Sequence, residues 1–257
     1  MKLKDRIALI TGGNGGIGLA AAKLFLAEGA RVVITGRNQE KLDRAVVELN
    51  HSALAVRADL NVSEEREALF GKLSDTYGKL DILFANAGTA RGKAIADTTK
   101  RDLDEILLTN VTAVFLTIQA SLPLMSAGAA IVVNGSIAGK AGFLPGGGAY
   151  PASKHAVLAM VRSMSAELAP QNIRINVLAP GYTATGFATE GLDEAAIEAR
   201  TKALNRMIPV GRMAHPDEIA RAALFLASDD ASYMHGAELA VDGGVSGATF
   251  GAAAYRT

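Results

Sequence analysis

The sequence predicts an α/β protein: a single doubly wound domain whose seven-stranded, mostly parallel sheet carries helices on both faces. Three observations predict it. Short β-branched runs alternate along the chain with longer stretches of helical spacing. The connections between them are short, which makes the strands parallel and the crossovers right-handed. The apolar mass is Ala, Val, Leu and Ile, with 5% aromatics and no Trp, and that composition suits strands buried on both faces.

The first strand is the run 7–11, IALIT. Residues 16–28 follow as a helix, with Ile17, Ala21 and Leu24 on one face. A strand at 32–35, a helix at 40–50 and a strand at 53–57 come next. Ser63 can cap the following helix, with Arg66 rather than an acid at the capping-box position. Residues 81–85 read as the fourth strand, 101–125 as a long helix and 130–133 as the fifth strand. The helical pattern 150–169 stops at Pro170, which cannot continue it. The sixth strand is 173–178, and the stretch 183–210 shows less regular spacing. A helix at 216–227 has Pro in its first turn. The seventh strand, 238–241, precedes Gly243-Gly244. No composition break or internal repeat divides the chain, so residues 1–257 are expected to form one domain.

Between the first strand and the first helix stands Thr11-Gly12-Gly13-Asn14-Gly15-Gly16-Ile17-Gly18. Glycines there let the backbone turn tightly and approach a pyrophosphate, and the helix start presents N–H groups to it. This is the context of a dinucleotide site in a Rossmann-like fold. The bland alternative is a structural glycine turn. No Gly-Lys-Ser or Gly-Lys-Thr ends the motif, which excludes a P-loop. NAD sites carry an acid near the end of the second strand, about 20 residues on. Here that place holds Gly36, then Arg37. A guanidinium binds a 2′-phosphate, whereas a carboxylate repels it. NADP(H) is therefore the expected cofactor, with NAD(H) as the weaker alternative.

Tyr150 and Lys154 stand four residues apart in Tyr-Pro-Ala-Ser-Lys, on one face of a helix. A free phenol has a pKa near ~10, too high for a proton shuttle at neutral pH. A neighbouring ammonium lowers that value. Alone, the pair carries little weight. Ser136 follows the fifth strand, Asn86-Ala87-Gly88 the fourth and Pro180-Gly181 the sixth. All fall at the carboxyl ends of strands, where doubly wound sheets bind ligands.

With these residues in order, the sequence resembles the main branch of the short-chain dehydrogenases/reductases over roughly residues 3–244. The motifs that carry the resemblance are Thr11-Gly12-x-x-x-Gly16-x-Gly18, Asp59, Asn86-Ala87-Gly88, Asn110, Ser136, Tyr150-x-x-x-Lys154, Pro180-Gly181 and Val241-Asp242-Gly243-Gly244. The resemblance implies an oxidoreductase that moves hydride between nicotinamide and a ketone or secondary alcohol. It implies Tyr150 as acid and base. Lys154 would hold the nicotinamide ribose and lower the Tyr150 pKa, and Ser136 would bind the substrate oxygen. Asn110 would support a water relay to Lys154. Asp59 and Leu60 would contact adenine, and Thr185, with Thr183 as a weaker candidate, the carboxamide or pyrophosphate. The stretch 183–212 would close over substrate. Phe143, Leu144, Tyr182, Phe187 and Met207 are pocket candidates; Phe187, Leu204 and Met207 have an equal case as core. Ser136 and Tyr150 stand 14 positions apart, one more than is common in the family, with the extra residue around Phe143-Leu144-Pro145. Gly146-Gly147-Gly148 precede the Tyr150 helix and suggest a flexible entrance.

A carbonyl reductase or alcohol dehydrogenase is thus the leading reading, with a 3-oxoacyl thioester reductase as runner-up. Lys202, Arg206 and Arg212 near the expected lid are weak evidence for an acyl-carrier surface. A non-catalytic NADP-binding regulatory protein is the alternative from another class, and the intact Asn110, Ser136, Tyr150 and Lys154 speak against it. The 26 basic and 26 acidic residues balance, which argues against nucleic acid as a ligand. Absence of Cys excludes thiol chemistry. His51, His155, His215 and His235 lack metal-binding spacing, so no metal is expected. No stretch approaches the roughly 20 apolar residues of a spanning helix, and no signal-peptide core is visible. A cytoplasmic protein without membrane partners is expected. The long helices 101–125 and 150–169 carry wide apolar faces, from which a homotetramer is expected.

Overall fold

The computed structural model describes residues 1–90, 93–139, 148–186 and 193–248. Seven strands form one sheet in the order β3-β2-β1-β4-β5-β6-β7. They are β1 (Ile7–Thr11), β2 (Arg31–Gly36), β3 (Ala53–Arg57), β4 (Ile82–Ala85), β5 (Ala130–Asn134), β6 (Arg174–Pro180) and β7 (Glu238–Val241). Every pairing is parallel, so the qualification "mostly" drops away. The expected strand bounds agree at β1, β3 and β7, while β6 runs on to Pro180 because Gly181 N–H donates to Val241 O at 3.0 Å.

The helices are α1 (Gly16–Ala27), α2 (Gln39–Glu48), α3 (Ser63–Tyr77), α4 (Lys100–Leu107), α5 (Ala113–Ser121), α6 (Ala149–Leu168), α7 (Glu194–Met207) and α8 (Pro216–Ala227). Alternate side chains of each strand feed two cores. One face packs Ala8, Ile10, Ile34 and Phe84 with α1 and α8 residues such as Phe25 and Leu224. The other packs Leu9, Val33, Leu83 and Ile131 with α3, α5 and α6 residues such as Leu69, Ile118 and Val157. Near-continuous apolar strands are what burial on both faces demands.

Four expectations are corrected. Ser63 is the first residue of α3 rather than its cap, and Arg66 donates to both Ser63 Oγ (3.0 Å) and Leu60 O (2.8 Å). The irregular stretch contains α7, capped by the Asp193 carboxylate, which accepts from Ala196 N–H at 2.8 Å. Its charged exposed face had hidden its period. The long helix is interrupted: α4 and α5 are joined through a π-helical turn, Leu108–Thr112. Read as one helix, Lys100–Leu124 is long and apolar enough to cross a membrane by length and composition, contrary to the expectation. In the fold, its inner side packs on β4 and α6, and it buries Asn110 completely.

Candidate active site

At the middle of the sheet, β1 is followed by a helix on one face and β4 by a helix on the other, which opens a crevice beyond their carboxyl ends. The glycine turn lines one side of it. Gly12 and Gly16 have φ of +64° and +51°, in the left-handed region. A Cβ on Gly18 would lie 2.3 Å from Gly12 O, and one on Gly12 would lie 3.1 Å from Ala87 Cα. The α1 start has no side-chain cap and no acid in its first turn, so its leading N–H groups lack the usual side-chain acceptor. Ile17 packs its side chain into the α1 core. This is a cradle that a side chain would fill, and it fits the pyrophosphate of a dinucleotide.

Toward the sheet's β3 edge, Asn14 lies over Gly36, where any Cβ would meet its carboxamide at 2.9 Å. Arg37 follows, well exposed, with Nη1 3.9 Å from Asp59 Oδ2. Asp59 Oδ1 accepts from Asn61 N–H at 3.0 Å. Leu60 packs its side chain against the second core. Arg37 and Asp59 thus meet beyond the carboxyl ends of β2 and β3, with Leu60 next in the chain.

At the crevice floor, Thr11 Oγ1 accepts from the N–H groups of Asn86 and Ala87, both at 2.9 Å. Asn86 Nδ2 donates to Thr11 O at 2.9 Å, and Asn134 Nδ2 donates to Asn86 Oδ1 at 2.9 Å. Across the crevice stands α6. Lys154 is buried and donates from Nζ to Asn134 O at 2.8 Å. Ser136 lies close enough to the Tyr150 phenol to act on its ionisation. Ser136 Oγ also accepts from Ala138 N–H at 3.1 Å.

Two electrostatic findings qualify the expected roles. Burial lowers the Lys154 pKa to about 8, because a charge removed from water favours its neutral form. Burial raises Tyr150 above its ordinary value, and Ser136 opposes that in part. The expected lowering of Tyr150 by Lys154 is therefore not what this structure has. The Lys154 ammonium lies 5.8 Å from the centre of the Tyr150 ring and is satisfied by a carbonyl instead.

Asn110 sits in the π turn, where the added residue directs it inward. Its Nδ2 donates to Thr89 O at 2.8 Å and to Ser153 Oγ at 3.0 Å, and its Oδ1 accepts from Thr89 N–H at 2.8 Å. Ser153 Oγ donates to Tyr150 O at 2.7 Å. Asn110 thus braces the turn after Gly88 and the start of α6, with its side chain committed to those bonds rather than to Lys154. A Cβ on Gly88 would lie 3.2 Å from Asn110 Oδ1 and 3.7 Å from Lys154 Nζ, so the chain passes close to both.

Gly181 lies against Asp242, which leaves no room for a side chain. Beyond it, Thr183 Oγ1 donates to Gly181 O at 3.1 Å and is thereby engaged within its own turn. Thr185 reaches over the glycine turn: a Cβ on Gly16 would lie 3.1 Å from Thr185 Cβ. Tyr182 is half-buried, and burial pushes its hydroxyl pKa up while Arg200 opposes the shift. Met207 is nearly half exposed at the end of α7, and Leu204 is the buried residue there. Phe143, Leu144 and Phe187, with Pro145, Gly146 and Gly147, lie outside the described residues. His155 is exposed, facing away from Lys154's side of α6. His215 caps α8, and His235 Nδ1 accepts from Ile175 N–H at 3.2 Å.

Sequence reasoning passed over three residues of this site. Thr11 was visible only as part of the glycine motif. Ser153 lies inside the Tyr-x-x-x-Lys spacing, one residue before Lys154. Asn134 is a polar residue at the end of an apolar strand, and that was the available signal.

The family model described as enoyl-(acyl carrier protein) reductase matches residues 12–246. The cyclopentanol dehydrogenase of Comamonas sp. (strain NCIMB 9872) is 39% identical over 248 residues, covering 95% of this chain and 98% of that protein. A short-chain type dehydrogenase/reductase from Mycobacterium marinum superposes with a TM-score of 0.88 at 32% identity, over 96% of this chain and 98% of that one. The Pseudomonas aeruginosa RhlG/NADP active-site complex superposes with a TM-score of 0.90 at 33% identity, over 95% of this chain and 98% of that one.

Gly18→Ala tests the cradle directly. The added methyl meets a carbonyl oxygen that cannot move without distorting β1's end. Thermal and urea unfolding should show a loss of roughly 1–3 kcal/mol, the usual cost of overpacking. Dinucleotide binding by fluorescence titration should weaken at least tenfold.

Proposed function

Because the chain belongs to the short-chain dehydrogenase/reductase family, and is therefore an oxidoreductase acting on CH–OH or C=O groups, we propose that it is an NADP(H)-dependent carbonyl reductase or alcohol dehydrogenase. The observation that carries this reading is the Ser136–Tyr150 hydroxyl pair beside buried Lys154, facing a side-chain-free cradle across one crevice. A bound nicotinamide would supply or accept the hydride. The protein's part is binding, orientation and proton transfer. Gly12, Gly16 and Gly18, with Thr185 beside the turn, would hold the pyrophosphate. Asn86, Ala87 and Gly88, and Pro180-Gly181, would supply the remaining backbone contacts to the cofactor. Ser136 donates to the substrate oxygen, and Tyr150 delivers its proton to that atom.

The direction of each pKa favours reduction near neutrality. A phenol raised by burial stays protonated and can act as an acid. Lys154 is charged below about 8 and loses its charge above it. If the Lys154 ammonium holds the nicotinamide ribose for the reaction, ketone reduction should fall as pH rises through about 8, while alcohol oxidation, which needs the Tyr150 phenolate, should gain at alkaline pH.

NADP(H) preference rests on Arg37. Its pairing with Asp59 is loose and exposed, and such pairs are worth only about 0–1 kcal/mol. The guanidinium can therefore turn to a 2′-phosphate at little cost. The description of the matching family model favours a second reading, in which the substrate is an acyl thioester. We also propose a homotetramer, supported by Leu103, Leu108 and Phe115, which are 38–43% exposed on the outer side of the α4–α5 helix.

Tyr150→Phe should keep NADPH binding and lower kcat/KM by about 10²–10⁴-fold, the usual contribution of a general acid. The assay is NADPH oxidation over cyclic, aromatic and β-keto ester ketones, with acetoacetyl-CoA included to decide the thioester reading. Arg37→Ala should weaken NADPH about tenfold or more and leave NADH unchanged; equal NADPH affinity in the variant rejects the cofactor assignment. Light scattering at micromolar concentration should give four times the chain mass, and a monomer mass would end the tetramer proposal.

A further inference from the structure

Asn134 closes a strand that is otherwise apolar and buried. Its amide has a defined orientation. Asn86 Nδ2 donates to Thr11 O at 2.9 Å and Gly12 O at 3.4 Å, so turning that amide over would set oxygen against two carbonyls. Asn86 Oδ1 must then face Asn134, whose Nδ2 donates to it at 2.9 Å. That leaves Asn134 Oδ1 buried with no hydrogen-bond partner. An apolar residue of the same shape would avoid this penalty. What the asparagine adds is a tie from β5 through β4 to the glycine turn.

The other end of the tie is the backbone of the same residue. Asn134 O is the acceptor for Lys154 Nζ at 2.8 Å. On its far side the chain is pinned by Gly135, whose N–H donates to Leu178 O at 2.7 Å and which has no space for a Cβ against Val177. Lys154 is buried, and no carboxylate pairs with it among the described residues. The Tyr150 ring is its titratable neighbour, 5.8 Å from Nζ to centroid.

We propose that Asn134 is a positioning residue: anchored by its side chain to Asn86, it fixes the carbonyl that receives the Lys154 ammonium. It acts on the reaction through Lys154 and touches no reacting atom. The inference deepens the reading of this site as a reductase and rests on Lys154 serving that reaction.

The test follows Lys154 itself in cofactor-free, full-length protein. Lysine-¹⁵N-labelled wild type, Asn134→Leu and Asn134→Asp are titrated by NMR, with thermal unfolding of each in parallel. Loosening the carbonyl removes stabilisation of the ammonium, so Asn134→Leu should titrate below the wild type. The Asn134→Asp carboxylate, on the residue whose backbone carbonyl accepts from Nζ, should raise the value by ~1 or more. The basic limb of kcat/KM for ketone reduction should move with each, in opposite directions. Reduction at pH 7 should fall about tenfold in the Leu variant. A merely structural role would lower activity in both without moving either profile.

Folded variants that titrate like wild type, or that both move the same way, would overturn the proposal. If Asn134→Leu does not fold, Asn134→Asp decides alone, and an unshifted Lys154 there counts against it. A wild type that titrates as expected but reduces no carbonyl defeats the functional reading, and the titrations alone then decide whether Asn134 fixes Lys154.

Discussion

Between β1 and β4 the covering helices leave the sheet on opposite faces, and the strand ends there must be joined by something other than helix. The joint is Asn86. Its backbone N–H and that of Ala87 donate to the Thr11 hydroxyl, while its side chain spans Thr11 O and Asn134 Nδ2. Backbone polar groups at a crevice floor cost free energy unless paired. Satisfying them with side chains keeps the crevice open, leaves one orphan at Asn134 Oδ1, and holds the glycine turn, β4 and β5 in fixed relation. The cofactor cradle and the proton-transfer groups are placed against each other by this one network.

Burial then sets the chemistry. Lys154 sits where water is excluded, which lowers its pKa to about 8 and makes its remaining hydrogen bonds matter more. Tyr150 is raised by the same exclusion and drawn part-way back by Ser136. The two shifts have one cause and opposite consequences: the lysine comes close to neutrality while the phenol keeps its proton. The Asn110–Ser153 pair braces the backbone of Tyr150 from the π turn, so the acid is held by packed polar contacts rather than by its neighbour's charge.

Much of this was legible in the chain. A strand buried on both faces announces itself as an apolar run, which is why IALIT matches β1 residue for residue; ALAVR matches β3 as well, although that edge strand is only half-buried. Gly12, Gly16 and Gly18 were readable because backbone contact forbids a side chain there. Tyr150 and Lys154 were readable because helical spacing puts them on one face. Other features depend on tertiary contacts that no local pattern encodes. The π turn at Asn110 is an insertion inside a continuous helical period, invisible to spacing alone. The Lys154 ammonium meets a carbonyl 20 residues earlier in sequence, at Asn134. That contact is one the helical spacing of Tyr150 and Lys154 could not show. Helix α7 escaped notice because its outward residues are charged over most of its length.

The central claim is that this crevice brings a nicotinamide and a carbonyl carbon together for hydride transfer, with Tyr150 completing the alcohol. The most direct measurement is to offer the protein cyclopentanone with NADPH dideuterated at the reactive carbon and to analyse the product by mass spectrometry. The expected result is cyclopentanol carrying one deuterium on the carbinol carbon, formed by wild type and lost in Tyr150→Phe. Tight NADPH binding without product across the whole ketone panel, or alcohol formed without deuterium, would contradict it.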